Sequence, residues 1–337
     1  MKVLVTGGCG FIGSAFIRML AREGGIEVVD VDGLTYAGDR ERLSEVESGH
    51  SLFILDICDE EAMNLVFREE RPDAVVHFAA ESHVDRSIDG AGPFVRTNVL
   101  GTQVLLDCAV RYRVGRFVQI STDEVYGDLD FEAPASREED RLAPSSPYSA
   151  SKAAADLLAM SYSRTHGLDV VVTRCSNNYG PWQHPEKFIP VVAAALLSGR
   201  AVPVYGSGRN VRDWIHVDDH CRGILAALRS PPCGRGECKT YNFGGRCQVR
   251  NIELVEFACA SLGVSFGSSV TFVADRPGHD RRYAIDCSKA ERELGWRPER
   301  ELPDGLGETL EWYRDNRRWW EQKVCGRLGT GSISRGG

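Results

Sequence analysis

Two neighbouring carboxylates, Asp123 and Glu124 in the stretch STDEVYG, stand at the end of the apolar run RFVQIST. Like charges in one partly dry site resist double ionisation, so one pKa rises and a single proton is held unequally. One acid can then give a proton while the other takes one. An acidic pair at a strand end serves equally well as a solvated turn, with the Asp bonding local amides. Consecutive residues of a regular strand face opposite ways, so both acids reach one substrate only if the chain bends here. Further along, YSASK sets Tyr148 and Lys152 at i and i+4, on one face of a helix. A phenol ionises at about pH 10, and a nearby ammonium favours the phenolate, which makes tyrosine usable as a base near neutrality. By itself the YxxxK spacing is common on helix surfaces.

A glycine loop gives these groups a context. TGGCGFIG follows the first apolar run and opens the first helical one. Gly7 permits the tight turn, Gly10 lets the backbone approach a pyrophosphate at the helix N-terminus, and Gly13 allows close packing of helix on strand. Asp32 ends EVVDVD, where an acid binds a ribose 2′-hydroxyl and repels a 2′-phosphate, favouring NAD over NADP. Asp56 and Ile57 end HSLFILDI; the acid there either accepts from an adenine amino group or caps the helix that DICDEEA opens. The small residues of HFAAESH let a cofactor lie against the backbone. Alcohol oxidation by hydride transfer needs a base and a nicotinamide, and this sequence offers both.

The elements that must position these groups alternate. KVLVTGG, EVVDVD, HSLFILDI, AVVHFAA, RFVQIST and DVVVTR read as buried strands, with amphipathic segments such as SAFIRMLAREG and DEEAMNLVFREE between them. That rhythm predicts an α/β fold, a Rossmann-type doubly wound parallel sheet with helices on both faces. After Arg174 the rhythm breaks into the loop SNNYGPWQHPEKFIP, followed by the helical VVAAALLSG. IHVDDHCRGILAAL reads as a helix and TYNFGG as a strand returning to the sheet. From about Val249 short strands and helices make a smaller mixed α/β C-terminal part. The expected division is a cofactor-binding unit of residues 1–175 with 213–245, a substrate-binding unit of 176–212 and 246–322, and a disordered small polar tail, 323–337.

Composition narrows the classes. The chain of 337 residues is 42% hydrophobic and 26% charged, as an ordinary globular protein is, and its net charge of −8 argues against nucleic acid as a partner. The N-terminal apolar run is too short to span a membrane and carries no export pattern, which points to the cytoplasm. Eleven cysteines, an odd number without a CxxC pair, read as small hydrophobes rather than as a disulfide framework or a zinc site, and no metal is expected.

TGGCGFIGS, FAAESHVDRSI, STDEVYG, YSASKA, RCSNNYGP, PEKFIP, VRDWIHVDDH and DRPGHDRRY together resemble the extended short-chain dehydrogenase/reductases and, within them, the dTDP-glucose 4,6-dehydratases, from Lys2 to about Tyr313. The resemblance implies that Tyr148, with Lys152, takes the proton of a sugar 4-hydroxyl as NAD takes the C4 hydride, while Thr122 bonds the 4-oxygen. Glu124 then removes the C5 proton, Asp123 protonates the departing 6-hydroxyl, and the hydride returns to C6. It assigns to the cofactor Gly7, Gly10, Phe11, Ile12, Gly13, Asp32, Leu34, Thr35, Asp56, Ile57, Phe78, Ala79, Ala80, Ser82, Thr97, Tyr148, Lys152 and Asn178. To the nucleotide-sugar it assigns Ser82, Thr122, Asp123, Glu124, Asn177, Glu186, Lys187, Phe188, Ile189, Val204, Tyr205, Arg212, Asn251, Arg276 and His279. The alternative reading of Tyr205 is core packing, and that of His279 a satisfied surface histidine. The family also pairs the helices of NVLGTQVLLDCAVRY and SASKAAADLLAMSYSRTHG across a homodimer interface.

Two departures stand out: Cys9 occupies a position that is usually alanine, and PPCGRGEC is an insertion of unassigned role. Related readings are a UDP-glucose 4,6-dehydratase, a nucleotide-sugar 4-epimerase, which needs no elimination acid, and a decarboxylase, which needs a basic clamp. A non-catalytic NAD-binding scaffold would have no use for Tyr148, Lys152 and both acids together.

Overall fold

The structure is a computed structural model that describes residues 1–46, 49–275 and 278–328. Its strands are β1 (Lys2–Thr6), β2 (Glu27–Asp32), β3 (His50–Ile54), β4 (Ala74–His77), β5 (Arg116–Thr122), β6 (Val170–Cys175), β7 (Asn177–Tyr179), β8 (Val202–Tyr205), β9 (Val211–His216), β10 (Cys238–Phe243), β11 (Gln248–Arg250) and β12 (Val270–Val273).

Seven strands form one sheet in the order β10-β6-β5-β4-β1-β2-β3, every neighbouring pair parallel. The apolar runs explain this: β1, β4, β5 and β6 are buried throughout or nearly so, as strands covered on both faces must be. On one face lie the helices Phe11–Glu23 and Val217–Arg229, sharing a core with Val3, Val5 and Val118. On the other lie Glu60–Glu70, Thr102–Arg111 and Pro147–His166. The strand order reverses between β1 and β4, and a crevice opens outside their C-terminal ends.

The helix Pro147–His166 carries clear punctuation. Ser146 and Ser149 form a capping box, Pro147 fills the first turn, and Gly167 ends the helix in the left-handed region at φ +71°. That placement fixes Tyr148 and Lys152 in the first turns, beside the end of β5.

The smaller part differs from its sequence reading in three places. NNY, expected in a loop, is β7, and VRDWIH is β9, so the following helix begins at Val217 rather than at Ile215. β9 pairs with β7 in parallel and with β11 antiparallel, and this ladder supplies what the polar NNY segment lacks in β-propensity. Residues 213–216, expected in the larger unit, therefore lie in the small sheet, while β10 does join the large one. The third difference is the tail: 323–328 continue the helix Arg317–Leu328 instead of being disordered, and 329–337 lie outside the described residues. Trp319 and Trp320 anchor that helix in a core with Trp214, Tyr313 and the helices Phe188–Leu197, Asn251–Ser261 and Leu302–Asp315. Among the described residues no helix is long and apolar enough to cross a membrane.

Candidate active site

One cavity of about 820 Å³ runs from the glycine loop to the small sheet. At its first end the backbone has no room for side chains. A Cβ on Gly7 would lie 2.7 Å from the Ala79 amide nitrogen, and one on Gly13 would lie 2.3 Å from the Gly7 carbonyl oxygen. Gly10 caps the first helix without a side-chain bond, which leaves the helix N-terminal amides for a ligand. Asp32 accepts from the amides of Cys9 at 2.9 Å and Leu34 at 2.7 Å, so the glycine loop itself positions the ribose-binding acid. Burial raises the Asp32 pKa, against the pull of those amides. The cradle, the open helix end and the acid at the second strand fit a dinucleotide.

Phe11, Ile12, Thr35, Asp56, Ile57, Phe78, Ala79, Ala80, Ser82 and Thr97 line the same cavity. Asp56 accepts from the Cys58 amide at 2.8 Å and pairs with Arg96 at 3.1 Å; the helix cap is Asp59 instead, accepting from Ala62. Leu34 is a correction. Its backbone sits at φ +45° and its side chain packs into the core beside Cys9 and Leu43, outside the cavity lining. The Cys9 thiol is fully buried, and burial, then Asp30 and Asp32, push its pKa up, which is the opposite of a reactive thiolate. The ten cysteines from Cys9 to Cys287 are all free.

At the centre β5 stops at Thr122 and a 3₁₀ turn, Asp123–Tyr126, begins at once. The bend brings both acids to the cavity wall with Thr122, Tyr148 and Lys152. Thr122 Oγ1 accepts from the Glu124 amide and donates to Asp123 Oδ1, both at 3.3 Å. Gly127 closes the turn at φ +86°, where a Cβ would strike the Ala143 carbonyl at 2.1 Å. Behind the turn the Tyr126 hydroxyl accepts from Arg174 at 2.9 Å and donates to Asn242 at 2.8 Å, and Arg174 pairs with Asp156 at 3.0 Å.

The electrostatics follow from burial. The Asp123 carboxyl is held well above the ordinary range by burial, then by Glu124 and Asp213, and its Oδ2 has no hydrogen-bond partner among the described residues. A carboxyl kept neutral in this way can donate a proton. The Tyr148 hydroxyl also lies well above its usual value, through burial first and then Glu124, Cys175 and Asp123, with a hydrogen bond to Thr122 opposing. The expectation that Lys152 brings Tyr148 down is thus corrected: in the protein by itself, desolvation and the neighbouring acids win. Burial likewise lowers Lys152, opposed by Asp156 one turn along the helix, and its Nζ donates to the Ile120 carbonyl at 2.5 Å.

At the far end Asn177, Asn178, Glu186, Lys187, Phe188, Val204, Tyr205, Arg212, Asn251 and His279 line the cavity. Asn178 is fixed by Ser176 at 3.0 Å and by His220 at 2.9 Å, and burial lowers the His220 pKa to about 3, so that imidazole is neutral. Asn177 and Asn251 each hold a buried Oδ1 without a partner among the described residues. The Glu186 carboxylate lies between Arg86 at 3.1 Å, His184 at 3.6 Å and His83 at 3.7 Å; burial raises its pKa, but His184, Lys187, His83 and Arg86 outweigh it and the net shift is down. Lys187 Nζ donates to the Ser82 carbonyl at 2.7 Å. Arg212 donates to the Asp280 carbonyl at 3.0 Å with its guanidinium 4.4 Å from the Tyr283 ring centre, and His279 pairs with Asp275 at 2.6 Å. Tyr205 is 42% exposed at the rim rather than packed in the core. Ile189 is the second correction, since its side chain is buried in the small core and does not reach the cavity. Arg276 lies outside the described residues.

Sequence reasoning missed Glu81, His83, His184, Trp214 and Tyr283, all of which line the cavity. Their motifs were legible, but nothing local says which side chain of FAAESH or VRDWIH turns inward. Among the described residues no group of three or more His, Cys, Asp or Glu is arranged to hold a metal.

Known proteins match this chain closely in sequence and fold. The sequence pattern of the family described as GDP-mannose 4,6 dehydratase covers residues 4–309. A dTDP-glucose 4,6-dehydratase of Actinoplanes sp. is 51% identical over 329 residues, 95% of this chain and 100% of the relative. One from Streptomyces antibioticus is 52% identical and covers 100% of this chain and 99% of the relative. The dTDP-glucose 4,6-dehydratase of Streptomyces venezuelae, solved with NAD bound, superimposes with a TM-score of 0.90 at 51% identity, over 96% of this chain and 100% of that one. The UDP-glucose 4-epimerase of Thermotoga maritima has the same fold at a TM-score of 0.87 but only 30% identity, over 94% of this chain and 100% of the other. With these matches over nearly its whole length, the chain belongs to the dTDP-glucose 4,6-dehydratase family, NAD-dependent hydro-lyases of the extended short-chain dehydrogenase/reductases.

Proposed function

We propose that this chain converts dTDP-glucose into dTDP-4-keto-6-deoxyglucose by oxidation at C4, loss of water across C5 and C6, and return of the hydride to C6. The observation that carries the reading is the turn at Asp123–Tyr126, which sets an acid and a base beside Tyr148 in one cavity with a dinucleotide cradle. NAD, when bound, supplies the site that accepts the hydride from C4 and delivers it to C6.

In this reading Thr122 bonds the 4-oxygen and Tyr148 takes the 4-hydroxyl proton, with Lys152 beside it. The C4 ketone acidifies the C5 proton, which Glu124 removes. Asp123 gives its proton to the 6-hydroxyl, so the C6–O bond breaks, water leaves and a C5=C6 double bond forms; the proton Asp123 loses equals the one Tyr148 gained, and exchange with solvent resets both. As hydride adds to C6, a proton returns to C5 from Glu124. An epimerase needs neither proton transfer at C5 nor an acid for C6, so the pair supports dehydration. Ser82 and Asn177 would hold the hexose, and Glu186, Lys187 and Phe188 would lie over the nucleotide. Phe188, Val204, Tyr205 and Asn251 would hold the base, and Arg212 with His279 the diphosphate, for which a guanidinium fork is suited.

The same proposal divides the labour: residues 1–175 with the returning β10 hold the cofactor, and the small sheet with its helices holds the nucleotide-sugar. It also includes a cytoplasmic homodimer. Leu100 and Leu157, 42% and 59% exposed on the two expected helical segments, support a second copy there, and sedimentation should read twice the chain mass. Incubation with dTDP-glucose should yield the 4-keto product faster than incubation with UDP-glucose. Faster dehydration of UDP-glucose, or of neither sugar, would overturn the substrate.

A further inference from the structure

On the reading above, one hydride leaves C4 and comes back at C6 within a single turnover. A cofactor lost in between would leave an oxidised sugar on an enzyme unable to finish. The protein therefore needs something that keeps the cofactor in place beyond the glycine loop alone.

Arg42 stands where such a device belongs. It lies in the short 3₁₀ turn Arg40–Leu43 and is 1% exposed. Its Nη1 donates to the carbonyls of Cys9 at 2.8 Å and Ala37 at 2.6 Å, and its Nε donates to the Trp182 carbonyl at 3.0 Å. These carbonyls belong to three separate segments that border the cavity: the glycine loop, the loop that follows Asp32, and the loop carrying Gln183 and His184. Cys9 O also accepts from the Asp39 amide at 2.9 Å. Asp39 in turn is gripped from the C-terminal helix: its Oδ2 accepts from Trp319 Nε1 at 2.7 Å and pairs with Lys323 at 2.7 Å.

The aromatic packing closes the ring of contacts. The Arg42 guanidinium lies 5.3 Å from the Trp319 ring centre, and Trp182 packs on Trp312 at 4.8 Å and Trp319 at 5.2 Å. Tyr313 donates to the Gln183 carbonyl. Trp182 itself is held at φ +70°, a conformation bulky residues rarely adopt without support from their surroundings.

We propose that Arg42 and the helix Arg317–Leu328 form a clasp that holds the loop over the adenosine end of the cavity, slowing release of NAD and NADH. A buried cation bonded only to carbonyls is a costly way to fill space, and apolar side chains would do that more cheaply. What the guanidinium supplies is a fixed fork joining three segments at once. Burial lowers its pKa to about 10, so the charge persists near neutral pH. For the adenosine half to leave, the segment containing Thr35, Ala37 and Gly38 must swing away, and Arg42 and Asp39 both oppose that movement. Arg42 is a positioning residue here and touches no reacting atom.

The test uses the full chain purified with its cofactor, and Arg42→Met, Arg42→Lys and Trp319→Phe, the last keeping an aromatic ring but losing the donor to Asp39. Cofactor content after gel filtration and the NAD dissociation rate are measured without sugar, beside thermal unfolding. Arg42→Met should release NAD about tenfold faster or more, the scale of one lost charged hydrogen bond. Arg42→Lys should lie between it and the parent, and Trp319→Phe should be faster than the parent. During turnover Arg42→Met should leak NADH into solution and stall, and added NAD should restore it. A folded Arg42→Met with the parental release rate overturns the clasp. If that variant does not fold, an unchanged rate in Trp319→Phe overturns it. Because release is read without substrate, fast release in the variants supports the clasp even if dTDP-glucose proves inert, an outcome that would sink only the proposed activity.

Discussion

Asp123 shows how one residue's surroundings set its task. Its carboxyl is pushed well above the ordinary value by burial, then by Glu124 and Asp213. The folded state therefore favours the neutral form. Its contribution to stability is complete below the unfolded carboxyl pKa, about 3.9, and is lost as pH rises toward the folded value. Asn carries no such penalty, so Asp123→Asn should gain thermal stability over the parent as pH goes from acid to neutral. Melting curves across that range check it, and a gap that narrows with rising pH would contradict the assignment. Asp123→Asn and Glu124→Gln should each slow product formation by about 10²–10⁴-fold, the usual worth of a positioned acid or base, with NAD content unchanged. Glu124→Gln should also lose exchange of the C5 proton with solvent. Residue identity was legible where motif and context coincided, as for Thr122, Tyr148 and Lys152. Direction was not: the Leu34 side chain packs against the core under the glycine loop, and Ile189 lies on the side of its helix that faces the small core.

At the level of elements, the 3₁₀ turn decides whether two consecutive acids can share a substrate. Its anchor is the Tyr126 hydroxyl between Arg174 and Asn242. Tyr126→Phe would leave a buried guanidinium short of a partner, costing about 1–3 kcal/mol, which chemical unfolding can measure. It should also slow elimination more than C4 oxidation, so that reduced cofactor accumulates transiently when sugar is added. Equal slowing of both steps would assign Tyr126 to general stability alone. The strands of the large sheet were legible because burial on both faces leaves unbroken apolar runs. β7 and β9 were not, since their pairing comes from long-range partners that leave no local pattern in NNY or at the junction of IH with the helix. The bend itself was legible only as a requirement.

At the scale of the molecule, the cavity exists because the strand order reverses between β1 and β4 while the small sheet and its helices face the opening. The C-terminal helix, read from its sequence as giving way to a polar tail, reaches back across the chain to Asp39 and Arg42. Spacing in a sequence cannot reveal such a contact, because its partners are joined only by the folded topology. The central claim is that one hydride moves within one sugar while Glu124 and Asp123 remove water. The most direct measurement follows dTDP-glucose carrying deuterium at C4, converted in ordinary water without added NAD. The account predicts deuterium at C6 of the 4-keto-6-deoxy product and none at C5. A product formed without deuterium at C6 would contradict it.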